Sequence, residues 1–399
     1  METQSGERIH IGFFGMRNAG KSSLVNAVTG QNLSVVSDVL GTTTDPVKKA
    51  MELLPLGPVV IIDTPGLDDE GELGNLRIKK ARQILGMTDI AILCVDARAG
   101  ISDFDRELVS VFEKKNIPYI VAYNKADLTE TRKELKENEI YVSAKTGENI
   151  TQLKEKMATL LKDGGEEKKL LADIVSKGDL VVMVIPIDAA APKGRIILPQ
   201  QQTLRELLDI GATAVCCKDT EHSETLSMIS KKPNLVITDS QVFGKVSKIV
   251  PADVMLTSFS ILFARYKGNL ETLVRGAAEL DNLKDGDAVL ISEGCTHHRQ
   301  CGDIGTGKLP KWIEEYTGKK LNYEFTMGTE FPEDLSKYSL ILHCGGCMLN
   351  AREMQSRLGY SEDEQVPITN YGVSIAQING ILKRSLEPFG DIAKIIKRS

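Results

Sequence analysis

Ile9-His-Ile-Gly-Phe-Phe14 runs directly into Gly15-Met-Arg-Asn-Ala-Gly-Lys-Ser22, and Ser23-Leu-Val-Asn-Ala-Val28 follows. The first segment is apolar and strand-like, and the last carries apolar residues at helical spacing. The loop between them satisfies the phosphate-loop pattern of two glycines, a lysine and a hydroxyl. Gly15 and Gly20 let the backbone curl so that amide hydrogens face an anion, and the helix that follows turns its positive end toward the same point. Lys21 adds a charge for the outer phosphates of a nucleotide, and the Ser22 hydroxyl is a ligand for magnesium. A chance glycine turn would lack this strand before it and helix after it, so the flanks decide the reading.

Outward from that loop, residues 9 to about 161 alternate short apolar runs with amphipathic segments of helix length. Val59 to Ile62, Ile90 to Val95 and Tyr119 to Tyr123 read as buried strands of a mainly parallel sheet with helices on both faces. Lys162-Asp-Gly-Gly-Glu-Glu-Lys-Lys169 is polar, charged and glycine-bearing, which marks a linker. Beyond it strands are expected at Leu180 to Ile187, Arg195 to Leu198, Ala212 to Cys216 and Leu235 to Thr238, with helices near Thr203 to Leu208 and Glu224 to Ser230. A third unit begins near Ser260, where Ala288 to Ile291 and Leu340 to His343 look like strands. The expectation is an α/β protein with an N-terminal P-loop domain over residues 1–163, followed by two smaller α/β domains over 170–260 and 261–399. The middle segment carries no phosphate loop, paired carboxylates or metal spacing, so a structural or assembly role is expected for it.

With 399 residues the chain is too long for one ordinary domain. Apolar residues make up 42% and charged residues 26%, which fits a water-soluble globular protein. The 49 Lys and Arg against 55 Asp and Glu leave a net charge of -6, which argues against a broad nucleic-acid or anionic-membrane footprint. No apolar run reaches membrane-spanning length, and the first residues lack the basic-then-apolar layout of a secretory signal. A cytoplasmic protein with no nucleic-acid and no membrane partner is expected.

Seven cysteines, an odd number, speak against a disulfide scaffold. Cys94, Cys216 and Cys217 lie in apolar stretches and are expected to be buried structural thiols. Cys295, Cys301, Cys344 and Cys347 all fall in the last quarter beside three of the five histidines. The motifs are Cys295-Thr-His-His298 and His343-Cys-Gly-Gly-Cys347, each after a strand-like run. Two strand ends can bring Cys295 together with Cys344 and Cys347, giving three thiolates and one or two imidazoles around one point. A structural zinc with three cysteines and a histidine is one reading. A 4Fe-4S cluster on three cysteines, with His297 or His343 as candidate fourth ligand, is the other. Cys301 sits in a polar, glycine-rich setting that does not pair it with the rest.

Three further motifs follow the phosphate loop, each after a strand: Asp63-Thr-Pro-Gly66, Asn124-Lys-Ala-Asp127 and Ser143-Ala-Lys145. Their order resembles the translation-factor-like GTPases across the whole first domain. The resemblance implies GTP and GDP with magnesium, held by Asn18, Ala19, Gly20, Lys21, Ser22, Ser23, Asp63, Gly66, Asn124, Lys125, Asp127, Ser143, Ala144 and Lys145. A carboxylate at Asp127 accepts from guanine N1 and its amino group but would face an acceptor at adenine N1. Gly41-Thr-Thr-Thr-Asp45 is similar to the first switch loop of the Era-like and tRNA-modification GTPases. This implies that Thr43 contacts magnesium and the third phosphate, so that Ser22, Thr43 and Asp63 surround the magnesium and Lys21 and Thr43 act in catalysis. It also implies that Asn18 holds a potassium ion. Leu67 stands where many signalling GTPases carry a glutamine that orients water, so slow intrinsic turnover is expected. Asp68, Asp69, Glu70 and Glu72 receive no catalytic role.

A second resemblance covers nearly the whole chain. Ala191-Pro-Lys-Gly-Arg195, Leu198-Pro-Gln-Gln-Gln202, Thr238-Asp-Ser-Gln241, Thr257-Ser-Phe-Ser-Ile-Leu-Phe-Ala-Arg-Tyr-Lys267, the two cysteine motifs and Pro367-Ile-Thr-Asn-Tyr-Gly372 together resemble the HydF family, the GTPases that mature FeFe hydrogenase. The chain departs from it at Gly302 and Thr306-Gly307. The resemblance implies a 4Fe-4S scaffold and carrier on Cys295, Cys344 and Cys347. Its transient cargo would be the diiron subcluster of the hydrogenase active site, received from two radical-SAM maturation enzymes and handed to apo FeFe hydrogenase. It also implies a homodimer or higher oligomer built on the middle domain. The competing reading is an RNA-modification or ribosome-assembly GTPase with a structural zinc module. A thiol redox switch on the Cys-x-x-Cys pair uses fewer groups than the site contains.

Overall fold

In the computed structural model the described residues are 5–31, 47–64, 84–130, 132–162, 169–187, 196–294, 304–328, 330–346 and 348–398. The chain divides into two compact units, Met1–Glu166 and Glu167–Ser399. In the first, strands β1 (Ile9–Phe14), β2 (Val47–Leu53), β3 (Gly57–Asp63), β4 (Ile90–Asp96), β5 (Tyr119–Asn124) and β6 (Glu139–Tyr141) form one sheet in the order β2-β3-β1-β4-β5-β6. All neighbours are parallel except β2, which runs antiparallel to β3. The near-continuous apolar runs of β1, β3 and β4 follow from this, because a parallel sheet is covered on both faces. Two clusters of buried residues fill the two sides, one around Ile11, Leu24 and Leu153 and the other around Phe14, Leu93 and Phe112.

The second unit carries two parallel sheets. One is built from β7 (Leu180–Val184), β8 (Thr213–Cys217), β9 (Leu235–Thr238) and β10 (Met255–Ser258), in the order β10-β9-β7-β8. The other comprises β11 (Ala288–Glu293), β12 (Asn322–Met327), β13 (Leu340–His343) and β14 (Ile368–Asn370), in the order β12-β11-β13-β14. Helices Phe259–Lys267 and Leu270–Ala278 join them, and one cluster of buried residues runs from Val181 and Ile237 through Ile261 and Leu273 to Leu290 and Ile341. Among the described residues no helix is long and apolar enough to cross a membrane.

Two sequence expectations are corrected. Leu198 opens a helix, Leu198–Ile210, and does not end a strand. Pro199 fits the first turn, where its missing N–H costs nothing, and the Gln200 side chain accepts a hydrogen bond from the Ile197 amide at 3.0 Å. Cys216 is exposed and Cys217 half-buried, against the burial expected for both. Their strand β8 lies at the edge of its sheet, so apolar sequence there does not guarantee cover. Cys94, on the central strand β4, is buried as expected.

Candidate functional site

The phosphate loop joins β1 to the helix Lys21–Thr29. Gly15 has φ +134°, and a Cβ there would stand 2.2 Å from the Cys94 carbonyl oxygen, so only glycine lets the loop lie against β4. Lys21 is buried, and its ammonium donates to the carbonyl oxygens of Gly15 at 2.8 Å and Met16 at 2.9 Å. Its charge is therefore anchored inside the loop. The Phe13–Asp63 register of β1 and β3 brings the Asp63 carboxylate to the helix start, where the Ser22 hydroxyl donates to its Oδ2 at 2.9 Å. The two expected magnesium ligands in this region are thus already in contact. Asn18 is exposed in the left-handed region at φ 61°, which asparagine tolerates, and Ser23 is exposed on the first helical turn. Thr43 and Gly66, with Leu67 and the acidic residues after it, lie outside the described residues.

The base-side motifs lock onto that loop. The Asn124 amide donates to the Ala19 and Gly20 carbonyls at 3.2 and 3.3 Å, while its oxygen accepts from the Ala144 amide at 3.0 Å. Asn124 therefore ties the phosphate loop to the Ser143–Lys145 loop. Asp127 is exposed, and its carboxylate accepts from the buried Ser143 hydroxyl at 2.6 Å, which fixes its direction. Lys145 is exposed beside it in the chain. Lys125 donates to the Asn18 carbonyl at 2.6 Å and to Asp96 at 2.8 Å. Asp96 was not anticipated from the sequence. The bonded Arg98 guanidinium, followed by the Lys125 ammonium, holds its carboxyl well below the usual carboxylate range. The available signal was its place as the last residue of β4, in register with Asn124.

In the second unit, β11 and β13 are neighbours with Ser292 opposite His343, so the two strands that precede the cysteine motifs in sequence end side by side. The Cys344 amide donates to the Ser292 carbonyl at 2.9 Å. Its sulfur accepts from the Gly294 amide at 3.0 Å and the Gly346 amide at 3.4 Å. Such N–H donors favour a thiolate, the form that binds iron or zinc. Gly294 immediately precedes Cys295, and a Cβ on it would stand 2.6 Å from the Leu349 side chain, so any larger residue there would have to displace Leu349. Cys295, His297, Cys301 and Cys347 lie outside the described residues. Among the described residues no group of three His, Cys, Asp or Glu side chains forms a metal set. The observed part of the loop fits a thiolate-bound metal through its amide donors to Cys344.

His343 departs from the ligand role expected for it. It is fully buried, and its Nε2 receives an N–H from Arg357 at 2.9 Å, because a guanidinium can only donate. Nδ1 then carries the proton and donates to the Cys344 carbonyl at 2.7 Å. With both ring nitrogens engaged, this geometry speaks against His343 as an iron ligand and makes it a prop of the Cys344 peptide. Arg357 also donates to the Gly328 carbonyl and the Glu353 carboxylate, each at 2.8 Å, and its guanidinium lies 5.3 Å from the Phe331 ring centre. Lys267, at the end of the helix Phe259–Lys267, donates to the Leu349 carbonyl at 2.9 Å and the Gly346 carbonyl at 3.3 Å. Neither cation carries a metal-ligand signature, so motif reading passed over both.

A hydrogen maturase F dimerization domain matches residues 170–268, a hydrogen maturase F tetramerization domain matches 271–388, and a 50S ribosome-binding GTPase domain matches 10–125. GTPase Der of Wolinella succinogenes is 35% identical over 165 residues, covering 37% of this chain and 35% of that protein. The tRNA modification GTPase MnmE of Dechloromonas aromatica is 34% identical over 159 residues, covering 39% of this chain and 35% of that protein. The chain thus spans about a third of the length of these curated relatives. The crystal structure of a GTP-binding protein designated engB superposes with 25% identity and a TM-score of 0.33, covering 39% of this chain and 99% of that one. The two maturase models together span more than half of the 399 residues and the nucleotide motifs lie in the GTPase match, so the chain belongs to the hydrogen maturase F family, with a GTPase domain at its N-terminal end.

Proposed function

We propose that the chain is a GTP-hydrolysing 4Fe-4S scaffold and carrier that assembles or delivers the diiron subcluster of the active site to apo FeFe hydrogenase. The observation that carries this reading is the Cys344 sulfur receiving two backbone amides where β11 and β13 end, one of them from the residue before Cys295. Cys295, Cys344 and Cys347 hold the cluster in this proposal, with His297 as candidate fourth ligand. The cluster supplies an iron not held by cysteine, to which an external group can attach. The three domains expected at 1–163, 170–260 and 261–399 are read here with the second boundary moved to 268–271, following the maturase matches at 170–268 and 271–388, the middle domain mediating a homodimer or higher assembly.

In the GTPase domain Lys21 neutralises the outer phosphates, and Ser22, Asp63 and Thr43 hold magnesium against them. Asp127, aimed by Ser143, accepts from the guanine ring, and Lys125 and Asn124 brace the loop below. Gly66 senses the third phosphate in this scheme, and Asn18 holds potassium, so hydrolysis runs faster in potassium than in sodium. Equal rates in the two ions would remove Asn18 from that role. Hydrolysis serves as a switch on assembly, partner binding or release, not as the chemistry of cluster building.

Anaerobic reconstitution with iron and sulfide tests the reading. About four irons per chain are expected, with a charge-transfer absorption lost in Cys295→Ser, Cys344→Ser or Cys347→Ser. Stoichiometric zinc and copurifying RNA would instead favour an RNA-modification or ribosome-assembly GTPase with a structural zinc.

A further inference from the structure

We propose that Lys267 is a positioning residue of the metal-binding loop, supplying from the dimerization domain a buried positive charge that holds the Cys344–Cys347 loop and sets the potential of the centre bound there. This rests on the cluster reading above. Lys267 is 3% exposed and ends the helix Phe259–Lys267, inside the matched dimerization domain at 170–268. Its ammonium bonds reach into the tetramerization domain at 271–388, to the Leu349 and Gly346 carbonyls. The Gly346 carbonyl belongs to the peptide that joins Cys347, and the Gly346 amide donates to the Cys344 sulfur. One side chain thus grips the loop on both sides of Cys347 in sequence. A 4Fe-4S centre on three thiolates is anionic and gains a further negative charge on reduction. A desolvated cation beside its loop favours the reduced state, more strongly than an exposed one would.

Arg357 grips the other flank through His343, but Glu353 offsets its charge at 2.8 Å. The 271–388 domain contains all the candidate ligand cysteines but not this lysine. The loop would then depend on the junction between the two matched domains.

The test uses the full chain, reconstituted anaerobically, as wild type, Lys267→Arg, Lys267→Gln and Lys267→Met. Midpoint potentials come from dye-mediated titration followed by electron paramagnetic resonance. Hydrogen exchange of the peptide spanning residues 340–350 is measured on the metal-free chains. Arg keeps the charge, Gln keeps a donor without charge, and Met keeps neither. The expected result is a midpoint near wild type for Arg and a more negative one for Gln and Met, with faster exchange of the 340–350 peptide in Met. Equal midpoints across the four chains, or unchanged exchange in Met, overturn the proposal. A wild-type chain that takes up no cluster defeats the cluster reading instead, and the exchange comparison still decides whether Lys267 holds the loop.

Discussion

Replacing Arg357 by methionine removes the donor to the His343 ring at 2.9 Å, the Gly328 carbonyl at 2.8 Å, the Glu353 carboxylate at 2.8 Å and the Ser292 hydroxyl at 3.3 Å. The Arg357 and Glu353 side chains are 5% and 11% exposed, so a carboxylate is left in the interior without this cation. Breaking a buried pair in this way costs about 3–5 kcal/mol. In a unit of this size each kcal/mol lowers the melting temperature by about 2–4 °C, which gives a loss of roughly 6–20 °C. The full chain is melted by circular dichroism with and without GDP and magnesium. Ligand raises only the transition of the nucleotide-binding unit and so identifies the other one. Arg357→Met should lower that second transition, and adding Glu353→Leu should recover a large part of the loss by removing the stranded charge. A single variant melting within 2 °C of wild type, or a double variant no better than the single, would refute the reasoning.

Asp127→Asn exchanges an acceptor of two guanine hydrogens for an amide, so GTP affinity should fall about a hundredfold or more while xanthosine triphosphate, with an acceptor in place of the amino group, gains; equilibrium binding of both nucleotides checks this. Alkylation of the metal-free chain at pH 8 should modify the exposed Cys216 early and Cys94 last, since burial pushes the Cys94 thiol up to about 12; peptide mapping that finds Cys94 modified first would contradict the placement. Asp96 is held below its unfolded value by Arg98 and Lys125, so its contribution is present above about pH 4 and is lost as pH falls through the folded value. Acid unfolding of Asp96→Asn should therefore show a shallower stability slope below pH 4 than wild type, read from denaturant titrations at stepped pH.

The legible parts of this protein were those in which chemistry is concentrated in a few neighbouring residues. Gly15 to Ser22, Asn124 to Asp127 and Ser143 to Lys145 each bend a strand end into a loop with a defined donor set. The apolar runs of β1, β4, β5 and β13 announce buried parallel strands. What stayed hidden depends on neighbours distant in sequence. Nothing around Lys267 reveals that its ammonium meets the Leu349 carbonyl, 82 residues later. Asp96 gains its meaning only from Lys125 across the sheet. His343 has the composition of a ligand and the surroundings of a prop, because Arg357 occupies its Nε2. Cys216 has an apolar sequence neighbourhood and an exposed side chain because nothing in its own strand says that β8 is an edge.

The central claim is that one chain joins a GTPase domain to a thiolate-held iron-sulfur carrier. It is tested most directly by loading the anaerobically prepared chain and measuring the hydrogen evolution it confers on apo FeFe hydrogenase, beside its iron content. Wild type should carry about four irons and confer activity, while Cys344→Ser should lose both. Full activation by an iron-free, correctly folded chain, or by the Cys344→Ser variant, would contradict the account.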